Sequence, residues 1–168
     1  MDQPFLMKYT LLSFLTIALV AGCSKGKLET KPKLELVSTS DLFVPLPTQE
    51  NPSGLRVVLG FLDKEGDAGD SLIIRRVRTN RRQGCDPQGS GICTLRDTIK
   101  MKIPDFPQNS KGEFEINFRH ADLVSSFAPP VGAGGRKEPD TLVYRFVVRD
   151  RAGNKSDTLV LENVVVER

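Results

Sequence analysis

The chain has 168 residues, 27% of them charged and 39% apolar, with a net charge of +3. That length suits a single domain, and the balance of charged and apolar residues fits a soluble globular body. The charge is too small to imply a nucleic-acid partner, and the absence of tryptophan argues against an indole-stacked sugar platform.

Lys8 precedes an apolar run from Tyr9 to Val20. The run has the length of a signal-peptide core and falls short of the ~20 apolar residues that a membrane span needs. Asp2 stands where export signals are usually basic, and Met7-Lys8-Tyr9 reads as a better start than Met1. The run closes on Val20-Ala21-Gly22-Cys23. An aliphatic residue, two small residues and a cysteine in that order resemble the lipobox of bacterial lipoproteins. Small residues let the backbone enter the signal peptidase cleft, and the thiol accepts a diacylglyceryl group. The alternative is an ordinary cleaved signal that ends at a chance cysteine.

The resemblance implies that residues 1–22 are removed and that Cys23 carries thioether-linked lipid, usually with an added amide-linked acyl chain. At ~0.8 kcal/mol per buried methylene, two or three such chains anchor essentially permanently. It further implies a Gram-negative cell envelope. Ser24 replaces the Asp that favours inner-membrane retention in familiar examples, which leans toward the outer membrane. An exported address makes a nucleic-acid partner less expected still.

Residues 23–32 read as a tether and 33–168 as the folded domain. Lys33-Leu34-Glu35-Leu36-Val37 has the composition of a first strand, and Leu42-Phe43-Val44 with Pro45 that of an edge segment. Leu55, Val57, Leu59 and Phe61 then alternate through a strand. The loop after it holds Asp63, Glu65, Asp67 and Asp70 around Gly66 and Gly69. Calcium takes six to eight hard oxygens, and alternate carboxylates with a glycine turn supply several. The segment is similar to acidic loops of calcium-binding adhesion and repeat domains. It departs from the EF-hand in the place of its glycine and in lacking the terminal bidentate Glu. A solvated turn that uses Asp and Gly for their backbone tolerance is the competing reading.

Ser71 to Thr79 is the next strand and opens the densest basic run, Arg75, Arg76, Arg78, Arg81 and Arg82. Guanidinium forks suit phosphates and carboxylates, so lipid phosphate or acidic polysaccharide is the candidate anion. No aromatic residue interleaves the run to stack a base. The alternative is a solvated face paired with the acidic loop. Cys85 and Cys93 bracket a Pro- and Gly-rich segment. In an oxidising compartment this even pair predicts a disulfide, worth roughly 2–3 kcal/mol by loop entropy. Two free thiols or a metal pair are the other readings, and the metal lacks further ligands.

Thr94 to Ile103 and Glu113 to Arg119 are strands, the second in strict alternation. His120, the only histidine, follows with no catalytic motif around it and reads as an exposed strand-end residue. His120 to Asp140 interrupts the strands, and its Pro129-Pro130-Val131-Gly132-Ala133-Gly134-Gly135 core predicts a mobile loop. Leu142 to Val148 and Thr158 to Val166 complete the set.

Strict alternation buries one face of each strand, which antiparallel sheets satisfy. About seven such strands predict an all-β fold of two antiparallel sheets packed face to face. The spacing resembles immunoglobulin-like and fibronectin type III-like sandwiches, without the Cys…Trp…Cys signature of antibody domains. Tyr144 to Thr158 resembles the final hairpin of many bacterial Ig-like domains.

No nucleophile elbow, phosphate loop or zinc signature occurs, so the expected function is non-enzymatic. The leading reading is a lipid-anchored module that presents loops to an envelope protein or polysaccharide. A calcium-stabilised adhesion module is the alternative, and a small hydrolase with an unrecognised carboxylate site a distant third.

Overall fold

The computed structural model describes residues 31–80, 96–103, 111–124 and 128–168. These form eight strands: β1 (Lys33–Thr39), β2 (Phe43–Val44), β3 (Gly54–Leu62), β4 (Ala68–Arg78), β5 (Arg96–Lys102), β6 (Lys111–Arg119), β7 (Asp140–Asp150) and β8 (Leu159–Val166). A single helical turn, α1 (His120–Leu123), follows β6. One sheet has the order β1-β3-β6 and the other β2-β8-β7-β4-β5. The two make an all-β sandwich, as the alternating pattern predicts. All pairings are antiparallel except that of the two-residue β2 with β8, which is parallel. Pro45 ends β2 directly after Val44, in keeping with the edge segment expected there.

The core lies between the sheets. Leu55, Val57 and Leu59 of β3, with Ile116 and Phe118 of β6, face Leu72 and Ile74 of β4 and Leu142, Tyr144, Phe146 and Val148 of β7. Each such side chain contributes about 1.5–3 kcal/mol by leaving water. Phe118 meets Tyr144 across the sheets with ring centroids 5.5 Å apart. The Tyr144 hydroxyl is buried beside the Arg76 guanidinium, without a hydrogen bond of good geometry. Burial pushes its pKa up to about 12, with the guanidinium pulling the other way.

β8 departs from simple alternation. Leu161 and Val164 both point inward although they stand three positions apart. The register with β7 shifts between Leu142 and Tyr144, and Asn163 in the bulge has φ 59°. The extra residue restores the inward facing of Val164 and Val166.

Two expectations for residues 120–140 are corrected. His120 is buried, and its Nε2 lies 2.9 Å from the Glu167 carbonyl while its backbone N–H donates to Ser53 O at 3.0 Å. The segment around Gly132 is a small ordered hairpin instead of an open loop. Val131 bridges Lys137, Glu138 N–H donates to Pro130 O at 2.8 Å, and Gly132 N–H donates to Arg136 O at 2.8 Å. Gly134 and Gly135 turn the chain at φ 75° and 76°, a conformation other residues adopt only at a cost. Reading Pro and Gly as mobile missed that they are also the residues of tight turns.

The loops joining β3 to β4 and β7 to β8 meet at one end of the sandwich. Arg151 N–H donates to Asp67 O at 3.2 Å, and Ala152 N–H donates to Asp67 Oδ2 at 3.2 Å. Lys31, just before β1, pairs with Asp157 at this same end. The opposite end is tied by a buried ion cluster. Arg78 Nη1 donates to Asp140 Oδ1 at 3.0 Å and to Ala128 O at 3.1 Å, and Arg168 Nη1 approaches Asp140 Oδ2 at 3.5 Å. The Arg78 and Asp140 side chains are fully buried. Burial pushes the Arg168 guanidinium down, Asp140 draws it back up, and Arg78 adds to the lowering. Removing one partner of a buried pair strands the other charge. Asp140→Ala is expected to cost about 3–5 kcal/mol in urea unfolding; a cost within experimental error would mean that the arginines find water without it.

Candidate functional site

The period of a strand divides the basic run of β4 between two environments. Arg76 and Arg78 share the inward face with Leu72 and Ile74, whereas Arg75 points outward with Ile73 and Val77. The two inward arginines are committed to structure. Arg76 donates from Nε to Asp97 Oδ1 at 3.1 Å and from Nη2 to Asp97 Oδ2 at 2.5 Å. Its Nη1 donates to the Asp122 and Leu123 carbonyls at 2.8 and 2.9 Å, which pins α1 against the larger sheet. Burial opposes this charge, but Asp97 and Tyr144 together outweigh it and the Arg76 pKa is raised. Arg78 is held by Asp140 as described above.

The outward face collects cations from three strands. Arg75 is in register with Arg145 of β7 on one side and Thr98 of β5 on the other. Val77 pairs with Val143 and Arg96, and Ile73 with Val147 and Lys100. Arg75, Arg96, Lys100 and Arg145 are all exposed. Arg56, Arg76, Arg78, Arg119, Arg149 and Arg168 each meet a carboxylate. Among the described residues Arg75, Arg96, Lys100 and Arg145 meet none. Two acids lie close by and both are engaged: Asp97 is held by Arg76, and Asp70 Oδ2 accepts from Arg149 Nε at 2.6 Å and from Ser71 Oγ at 2.9 Å. These bonds hold the Asp70 carboxyl below its ordinary range, with a smaller contribution from Lys100.

Two half-open depressions of about 450 and 420 Å³ adjoin on this face and share Arg75 and Arg145. Ile73, Val147, Val160 and Lys155 border the first, and Val77, Arg96, Thr98 and the Asp97 that Arg76 holds border the second. No aromatic ring borders either. A third depression of about 430 Å³ lies at the ion-cluster end beside Pro47, Pro52, Phe118 and His120, and its histidine is already bonded to Glu167.

The acidic loop is built differently from a convergent ligand set. Asp63 is buried, and its Oδ1 accepts from Glu65 N–H at 3.1 Å in an Asx-type turn closed by Gly66 N–H to Asp63 O at 3.2 Å. Asp67 tethers the β7–β8 loop, Asp70 pairs with Arg149, and Glu65 is exposed. Asp63 Oδ2 and Asp67 Oδ1 are buried without a hydrogen bond. Among the described residues no three Asp, Glu, His or Cys side chains gather as a metal site. Asp150 is buried too, with Oδ1 accepting from Asn154 N–H at 2.7 Å in the final hairpin. Cys23, Arg81, Arg82, Cys85 and Cys93 lie outside the described residues.

Sequence reasoning found Arg75 but not Arg96, Lys100 or Arg145 as its companions. Alternation in Leu142 to Val148 does mark Arg145 as outward; the register that sets it opposite Arg75 is not written in either strand alone. The sequence matches no protein-family model and no curated protein.

Like charges directly opposite on neighbouring strands are destabilising. Arg75→Gln is therefore expected to raise stability by about 0.2–1 kcal/mol in chemical unfolding; a loss of stability would show that Arg75 supports the fold.

Proposed function

We propose that this chain is a lipid-anchored envelope lipoprotein whose β-sandwich is a non-catalytic binding module. The anchor rests on Val20-Ala21-Gly22-Cys23 at the close of the apolar run. Among the described residues no helix is long and apolar enough to cross a membrane. The strand order, with an early strand parallel to the last one, supports the resemblance to immunoglobulin-like and fibronectin type III-like sandwiches. The observation that carries the binding role is the outer face of the larger sheet, where four exposed cations form no ion pair among the described residues.

Under this reading the tether joins the domain at the end where Lys31 meets Asp157. Residues 24–32, at about 3.3–3.6 Å each when extended, keep that end within roughly 30 Å of the bilayer. The sheet face then stands alongside the strands, free of the anchor. Mass spectrometry of the full-length protein expressed in a Gram-negative host is expected to give a mature chain that begins at acylated Cys23 and sediments with membranes, while Cys23→Ser stays unacylated and leaves that fraction. An unmodified Cys23 in the native product would overturn the anchoring.

A calcium-stabilised module is a second reading, favoured by the unpaired buried oxygens of Asp63 and Asp67 and opposed by the lack of a third gathered ligand. The first reading expects one melting temperature in calcium and in chelator. A rise of several degrees in calcium would favour the second.

A further inference from the structure

We propose that the outer face of the five-stranded sheet binds an acidic polysaccharide, with Arg75 and Arg145 gripping its charged groups at the centre and Arg96 and Lys100 extending the contact. The inference deepens the binding role proposed above and takes from the envelope address the class of polymer that is at hand.

The make-up of the face selects this ligand. Its cations are spread over β4, β5 and β7 instead of converging, so they suit a chain of repeated charges better than one small anion. The two depressions are half-open, adjoin each other and share the exposed Arg75 and Arg145, so together they form one continuous stretch of surface that a polymer can follow. Each guanidinium offers a planar fork that takes a carboxylate through two parallel hydrogen bonds. The central position of the like-charged Arg75–Arg145 pair is the reverse of a protein interface, whose middle is depleted of charge and whose rim is polar. Aliphatic Ile73, Val77, Val143, Val147 and Val160 surround the arginines without an aromatic ring, which leaves bases nothing to stack on. The same short side chains lack the Trp, Phe or Leu that insert into a lipid interface.

The test uses the full-length protein in uncharged detergent and four probes: polygalacturonate, polyglutamate, duplex DNA and anionic phosphatidylglycerol vesicles. Wild type is expected to bind polygalacturonate more tightly than the other three at equal charge concentration, and less tightly as salt is raised. Arg75→Gln with Arg145→Gln is expected to weaken that binding at least tenfold. Lys111→Gln with Lys137→Gln removes the same charge from exposed positions off this face and is expected to change it less than twofold. Thermal melting of each variant confirms folding, and Arg75→Lys with Arg145→Lys, which keeps the charge and loses the forks, serves where the glutamine pair does not fold and is expected to weaken binding too.

Equal loss in both glutamine pairs would reduce the effect to net charge and overturn the site. Tighter or equal binding to polyglutamate, DNA or vesicles would overturn the polysaccharide. Because the binding measurement is made on detergent-solubilised protein, it is scored apart from Cys23 acylation: absent acylation with intact polygalacturonate binding would remove the address alone, and acylation without binding would remove this inference alone.

Discussion

Everything on the larger sheet depends on the alternation of side chains along β4. Leu72, Ile74, Arg76 and Arg78 go inward, and Ile73, Arg75 and Val77 go outward. A strand that places two guanidiniums inside a sandwich has to be met there by anions, since an unpaired buried charge costs more than the fold can spare. Asp97 meets Arg76 from the neighbouring β5, and Asp140 meets Arg78 from the start of β7. Both pairs sit where β4 leaves the apolar core, and both do a second task. Arg76 reaches the carbonyls at the end of α1, which belongs to the chain of the smaller sheet, and Arg78 reaches Ala128. The buried arginines therefore close the sandwich at its end, where aliphatic packing between the sheets gives out.

The two ends of the sandwich differ in kind. At the tethered end Asp63 to Glu65 and Asp150 to Asn154 close short aspartate turns, and Asp67 to Ala152 ties the two loops together. Such turns need little beyond local sequence. The far end relies on contacts between residues distant in the chain, such as Arg78 with Asp140 and His120 with Glu167.

Much of the fold was legible because alternation is a short-range property. Glu113 to Arg119 and Leu142 to Val148 show their buried faces in the letters themselves, and their strands formed with only small changes of boundary. The bulge at Asn163 was not legible, because an extra residue shows only against a partner strand. His120 was misread for the same reason: its burial comes from Glu167 and Ser53, neither of them near it in sequence. The candidate site was half visible. A basic run points to anions, yet the run itself does not say that period 2 hides Arg76 and Arg78 and leaves Arg75 outside, nor that Arg145 stands opposite. In the acidic loop the aspartates were correctly seen as a group in the sequence; their separate hydrogen-bond partners are a property of the tertiary structure.

A cationic sheet face has a plainer explanation, namely that charge on an open β-sheet keeps copies from stacking on one another. That explanation accounts for exposed charge but not for its arrangement. Mixed signs would serve solubility equally well, and they would add favourable cross-strand pairs. The smaller sheet follows that pattern, with Arg56 paired to Glu115 across β3 and β6. On the larger sheet Arg75 and Arg145 are set directly opposite, and neither forms an ion pair among the described residues. Solubility alone does not require this destabilising pair, whereas an anionic ligand does: it needs two forks side by side and supplies the missing negative charge itself.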